Sequence, residues 1–201
     1  MTTARRRVRA HAAEPICSPL APARALPPTE YAALIHAARR RRGASTGRDL
    51  FLLQFLARTG LRVSEALSVR VRDLFLSYRP AFVRVLTLKQ RGRPRLHDVY
   101  LEPATVALVR GWIRPLAPRD LLFGGITRRN ASRVFRLYAR FAGLPPGRTL
   151  HSLRHYRASY LYTKTRDPEF VRSQLRHRSI STTQGYLSIP EDQVAKYLEL
   201  L

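Results

Sequence analysis

The chain has 201 residues, with 37 Lys+Arg against 13 Asp+Glu, for a formal net charge of +24 and a sequence pI near 11.6. Lysine occurs only at Lys89, Lys164 and Lys196, so arginine supplies almost all of that charge, and forked guanidinium contacts point to a polyanionic partner, with nucleic acid ahead of an anionic membrane surface. The single cysteine, Cys17, excludes an internal disulfide and a thiolate zinc site, and no apolar run approaches the roughly 18 residues of a spanning helix.

Residues 1–28 combine Arg5, Arg6, Arg7 and Arg9 with five prolines and carry no apolar signal core, which reads as a disordered basic tail on a cytoplasmic protein. The first helix is expected from Thr29, as cap, through Arg42, with Tyr31, Leu34, Ile35 and Ala38 at helical spacing. Gly43 to Gly47 breaks it. Asp49 to Arg58 is apolar nearly all round and reads as a central, buried helix closed by Gly60. A short helix around Arg62 to Leu67 follows.

The period then changes to two. Val69 and Val71, Ala81 to Leu88, and Leu96 to Leu101 read as three strands, with turn chemistry at Arg91-Gly92-Arg93-Pro94. Helices resume over Pro103–Arg114, Thr127–Ala142, His151–Thr163, Pro168–Leu175 and Ile180–Leu187, and a last one begins at Pro190. The fold class is α+β: mostly helical, with one small three-stranded antiparallel sheet. Only the last segment, residues 189–201, is acidic, with one basic and three acidic side chains.

Three segments carry candidate chemistry. They are Thr59-Gly60-Leu61-Arg62-Val63-Ser64-Glu65-Ala66-Leu67, His151-Ser152-Leu153-Arg154-His155, and Leu175-Arg176-His177 with Tyr186 nine residues later. Taken singly, each has an ordinary explanation: Arg62 and Glu65 as a surface pair, His151 as a helix cap, Tyr186 as a core tyrosine.

In this order, and with a lysine-bearing hairpin between the first two, the segments resemble the tyrosine recombinase (phage integrase) family, from about Thr29 to Leu201. The resemblance implies a catalytic set of Arg62, Lys89, His151, Arg154, His177 and the nucleophile Tyr186. Two guanidiniums would clamp the non-bridging oxygens of one phosphodiester, work that a metal does elsewhere. Tyr186 would form a 3′-phosphotyrosine that conserves bond energy for rejoining without ATP. His151 would take the tyrosine proton or orient the phosphate, His177 would donate a hydrogen bond to it, and Lys89 would protonate the leaving 5′-oxygen. Glu65 and His155 match positions read as structural. Neither a metal nor a cofactor is implied.

The chain departs from the family pattern in places. Ser152 stands where Asp is usual and alters the support of its helix, Arg176 stands where Gly is usual before the histidine, and the hairpin is about one residue longer than typical. Fewer than 30 residues precede the first helix, where most members carry a core-binding domain of roughly 100. The layout resembles the short recombinases that invert fimbrial promoter segments. The implied domains are a tail (1–28), a catalytic domain (29–188) and a C-terminal helix (189–201). That helix has a Val194/Leu198/Leu201 stripe, and docking on a neighbouring protomer or on its own domain are both left open.

Arg39, Arg40, Arg41, Arg42, Arg91, Arg93, Arg95, Arg176 and Arg178 are candidate contacts to the backbone of double-stranded DNA; for the Arg39–Arg42 run a plain solvated charge cluster is the equal alternative. The expected activity is site-specific recombination through a Holliday junction, by an enzyme dimeric or tetrameric on nucleoid DNA. Relaxation of supercoils by a type IB topoisomerase-like enzyme and a non-catalytic DNA-binding relative are the alternatives.

Overall fold

A computed structural model describes residues 26–87, 95–175 and 191–201. Helix α1 spans Pro28–Arg40, α2 Thr46–Thr59 and α3 Val63–Ser68. Strands β1 (Leu74–Phe75), β2 (Phe82–Thr87) and β3 (Arg95–Tyr100) form an antiparallel sheet in the order β1-β2-β3. Helices α4 (Pro103–Ile113), α5 (Arg128–Phe141), α6 (Leu150–Thr165), α7 (Pro168–Leu175) and α8 (Glu191–Glu199) complete the described chain.

Helix α2 is the centre, as its pattern predicts. Phe51, Leu52, Leu53, Phe55, Leu56 and Ala57 are all buried, at about 1.5–3 kcal/mol for each large side chain. Phe51 stacks on Trp112 of α4, with centroids 4.7 Å apart, and both Phe51 and Phe55 pack on Phe123. Tyr31 of α1 stacks on Tyr156 of α6 at 4.3 Å, and Glu30 holds Arg148 in a forked pair (2.7 and 2.8 Å), which ties α1 to the entry of α6. In the sheet, Val83 and Val85 face the core. Phe82, Arg84 and Leu86 lie on the opposite face, where Arg84 pairs with Asp98 across the strands.

Two expectations fail for clear reasons. Thr29 is not the cap: Pro27 occupies that position and Pro28 the first turn, where its fixed φ and missing N–H cost nothing. Val69 and Val71 are not a strand. The N–H groups of Val71 and Arg72 bond to Asp120 and Pro118 carbonyls, Arg70 bridges to Leu121, and the first strand is Leu74–Phe75. Ile180–Leu187 lies outside the described residues.

A second, smaller cluster covers the end of the chain. Val194 and Leu198 of α8 are buried with Ala158, Leu161, Phe170, Val171 and Leu175. Tyr197 donates to Asp167 (2.8 Å), and Tyr160 donates to the Leu201 carbonyl (2.9 Å). The predicted apolar stripe is thus seated on α6 and α7 of its own chain. Among the described residues no helix is long and apolar enough to cross a membrane.

Candidate phosphate-binding site

The site is built round one glycine. Gly60 closes α2 in the left-handed conformation (φ 66°), its N–H bonded to the Leu56 carbonyl. A Cβ at this position would overlap Leu175 Cδ2 and lie 3.2 Å from Arg157 Cγ, so only glycine lets α2, α6 and α7 meet here. Thr59 steadies the turn from below: it is buried, its Oγ1 donates to the Phe55 carbonyl (2.7 Å) and accepts from the Leu61 N–H (3.3 Å).

Arg154 is 4% exposed, and its two terminal nitrogens donate to the carbonyls of Gly60 and Leu175. A buried guanidinium gripped by two backbone carbonyls has a fixed plane. The second of those carbonyls belongs to the last residue before the segment that contains His177 and Tyr186. Arg62 sits two residues beyond Gly60, at the N-terminal boundary of α3. Its N–H donates to Glu65 Oε2 (2.8 Å) and its Nη1 to Glu65 Oε1 (3.0 Å). Glu65 is buried, whereas the Arg62 side chain remains about one-third exposed, so one carboxylate orients a guanidinium that still faces outward. The role read for Glu65 as a structural residue agrees with this geometry.

His151 lies exposed in the first turn of α6, one turn from Arg154, and its ring meets the His155 ring edge-on at 4.6 Å. The turn is capped reciprocally. Thr149 Oγ1 accepts from the His151 N–H (3.2 Å), and Ser152 Oγ accepts from the Thr149 N–H (3.1 Å). The structure therefore brings Arg154, the Gly60–Arg62 turn and the start of the His151 helix into one neighbourhood. Lys89, His177 and Tyr186 lie outside the described residues, as do Arg91, Arg93, Arg176 and Arg178. Arg39, Arg40, Arg41, Arg42 and Arg95 are exposed, and Arg41 lies over the Phe141 ring at 5.5 Å.

Two features escape sequence reasoning. The first is the polar face of α5, where Arg128, Arg129, Arg133, Arg136 and Arg140 are all exposed, no acidic residue interrupts them, and Ala131, Val134, Phe135 and Tyr138 fill the buried face. A helical wheel drawn on Thr127–Ala142 would have found it. The second is Glu102, buried at the start of α4, which pairs with Arg58 (2.8 Å) and Arg157 (3.1 Å), partners 44 and 55 residues away that no local pattern reveals. Burial pushes the Arg157 guanidinium below its ordinary value, and Glu102 opposes that shift. Desolvation likewise raises the Tyr31 hydroxyl to about 12. Among the described residues no group of three or more His, Cys, Asp or Glu side chains is placed to hold a metal.

Residues 24–192 match the Phage integrase family. A tyrosine recombinase from Pseudothermotoga lettingae is 33% identical over 151 residues, covering 73% of this chain and 51% of the relative. Tyrosine recombinase XerD from Mycobacterium tuberculosis is 34% identical over 151 residues, covering 72% and 49%. The chain thus spans about half the length of these curated relatives. Among solved structures, the XerH site-specific recombinase bound to difH substrate superposes with a TM-score of 0.63 at 23% identity, over 87% of this chain and 49% of that one, a likeness of fold. The helices, the three-stranded sheet and the match over residues 24–192 agree: the chain belongs to the phage integrase family.

Proposed function

We propose that this chain is a site-specific DNA recombinase that breaks and rejoins strands through a 3′-phosphotyrosine. One observation carries the reading: Arg154, buried and aimed by the carbonyls of Gly60 and Leu175, joins the turn leading to Arg62 with the helix end leading to Tyr186. A phosphodiester gains negative charge in its pentavalent transition state, and cationic donors held rigidly at its oxygens stabilise that charge. In the proposed step the Tyr186 oxygen attacks phosphorus and the P–O5′ bond breaks. The phenolic proton passes to His151, His177 hydrogen-bonds the phosphate, and Lys89 supplies a proton to the departing 5′-oxygen. The solved relative XerH is a recombinase on its difH substrate, which supports DNA as the partner.

Backbone contacts are assigned to Arg39–Arg42, Arg91, Arg93, Arg95, Arg176 and Arg178, joined by the exposed arginines of α5. Assembly on DNA, into a dimer or tetramer, would use residues 189–201. The seat that α8 takes on α6 and α7 of its own chain is one that a neighbouring protomer's α8 could occupy with the same contacts. By the same proposal the protein would act at the nucleoid.

The test is covalent capture. The full chain is incubated with a library of nicked duplexes of randomised sequence, denatured, and the DNA that stays attached is sequenced. Wild type is expected to enrich one site as a 3′-adduct, and Tyr186→Phe to yield none. Equal adduct from both proteins would end the catalytic reading, and binding without adduct would favour the non-catalytic relative.

A further inference from the structure

Beneath the Gly60 turn lies a buried ion network that the phosphate site does not include. Glu102 is 3% exposed and precedes the first turn of α4. Its Oε1 accepts from Arg58 Nη1 (2.8 Å) and Thr105 Oγ1 (3.0 Å), and its Oε2 accepts from Arg157 Nη1 (3.1 Å). The last turn of α2, the start of α4 and the middle of α6 are joined on a single carboxylate. Arg157 is as deeply buried as Arg154, with its guanidinium 5.5 Å from the centroid of the Tyr160 ring. Such pairs gain little stability over well-packed apolar side chains of the same size, because desolvating both ions offsets their attraction. Stability alone is therefore a poor reason for an ion pair at this position.

The stem of Arg157 supplies a better one. Its Cβ and Cγ lie against Gly60, where an added Cβ would stand 3.4 and 3.2 Å from them. The Gly60 carbonyl, in turn, aims Arg154, which lies one turn earlier on the same helix. Arg157 therefore backs the peptide that orients the buried guanidinium. Glu102 fixes Arg157 by a directional bond and, through Arg58, ties it to the end of α2.

We propose that Arg157, held by Glu102, is a positioning residue: it sets where the Gly60 turn sits against α6, and so the relative placement of Arg62 and Arg154, without touching DNA. This rests on the recombinase reading, because it matters only if two guanidiniums must share one phosphate.

The decisive variant is Arg157→Met, which keeps the bulk, removes the buried cation and leaves Glu102 its bonds to Arg58 and Thr105. Urea unfolding, affinity for the duplex recovered by covalent capture, and the single-turnover rate of adduct formation at saturating duplex are measured on the full chain. The expected result is a chain that still folds, at a lowered urea midpoint because the buried Glu102 carboxylate keeps only Arg58 of its two cations. Affinity should be unchanged and the rate at full folded protein lowered about tenfold, since misplacement by an ångström or less is enough for such a loss. Arg157→Lys, which can still reach Glu102, is expected to recover part of the rate. A folded Arg157→Met that cleaves at the wild-type rate overturns the proposal. So does a rate loss that merely follows a loss of folded protein. If Arg157→Met does not fold, Glu102→Gln decides: it keeps the shape and an acceptor, a slowed rate at unchanged affinity supports the proposal, and a wild-type rate overturns it. Wild type alongside Tyr186→Phe reports separately on the recombinase reading; if wild type forms no adduct, that reading fails and the positioning role falls with it.

Discussion

Gly60→Ala probes the site at its narrowest point. An L-residue forced into the left-handed conformation at φ 66° costs about 1–2 kcal/mol. The new methyl would also overlap Leu175 Cδ2, and Leu175 is completely buried among Leu161, Phe170 and Val171, with little room to retreat. Overpacking of that kind adds about 1–3 kcal/mol. The combined penalty of roughly 2–5 kcal/mol is a large share of the stability of an ordinary domain. Urea unfolding followed by far-ultraviolet circular dichroism reads it directly. The two causes separate in a Leu175→Ala background, where the overlap with Leu175 is gone and the backbone share of about 1–2 kcal/mol should remain, together with the tight approach to Arg157 Cγ at 3.2 Å. The double-mutant cycle should therefore show a coupling of about 1–3 kcal/mol. A Gly60→Ala penalty below about 1 kcal/mol, or one that is identical in both backgrounds, would refute the close approach described for α2 and α7.

Two further outcomes follow from surface charge and from burial. Arg129→Ala with Arg136→Ala removes two exposed cations from α5, so the slope of log affinity against log salt should become shallower by about two, while the adduct rate at saturating duplex stays near wild type; an unchanged slope would take α5 off the DNA interface. Tyr31 is raised to about 12 by desolvation, above the ordinary value near 10 that it regains on unfolding. Its contribution is therefore full below pH 10 and is lost between pH 10 and 12, at up to about 1.4 kcal/mol per pH unit. Stability measured across that window should fall less steeply in Tyr31→Phe, and parallel curves would show that Tyr31 is not the group responsible.

What the sequence made legible was whatever a local pattern encodes. Helix α2 reads from its unbroken apolar run and its closing glycine, and α7 reads from Pro168 to Leu175 without error. The two long strands, β2 and β3, follow from period-two alternation and a turn, whereas β1 at Leu74–Phe75 does not. Failure came where a partner lies far along the chain. Val69 and Val71 alternate as a strand would, yet the backbone here is claimed by residues 118–121. Arg62, His151 and Arg154 stand out only because several motifs occur together. Glu102 and Arg157 belong to no motif, and their meeting depends on how α4 is laid across α2 and α6.

The cap of α6 has an electrostatic consequence. Ser152 occupies the third position of the first turn and returns the hydrogen bond of Thr149 with a neutral hydroxyl. An aspartate could make the same bond, but it would set a full negative charge against the end of a 16-residue helix whose aligned peptide dipoles leave about half a positive charge there. With serine the loop keeps its geometry and that field stays uncancelled. On the recombinase reading, the extra negative charge of a pentavalent phosphorus forming beside His151 would meet an attractive potential from the backbone itself, in addition to the side-chain cations.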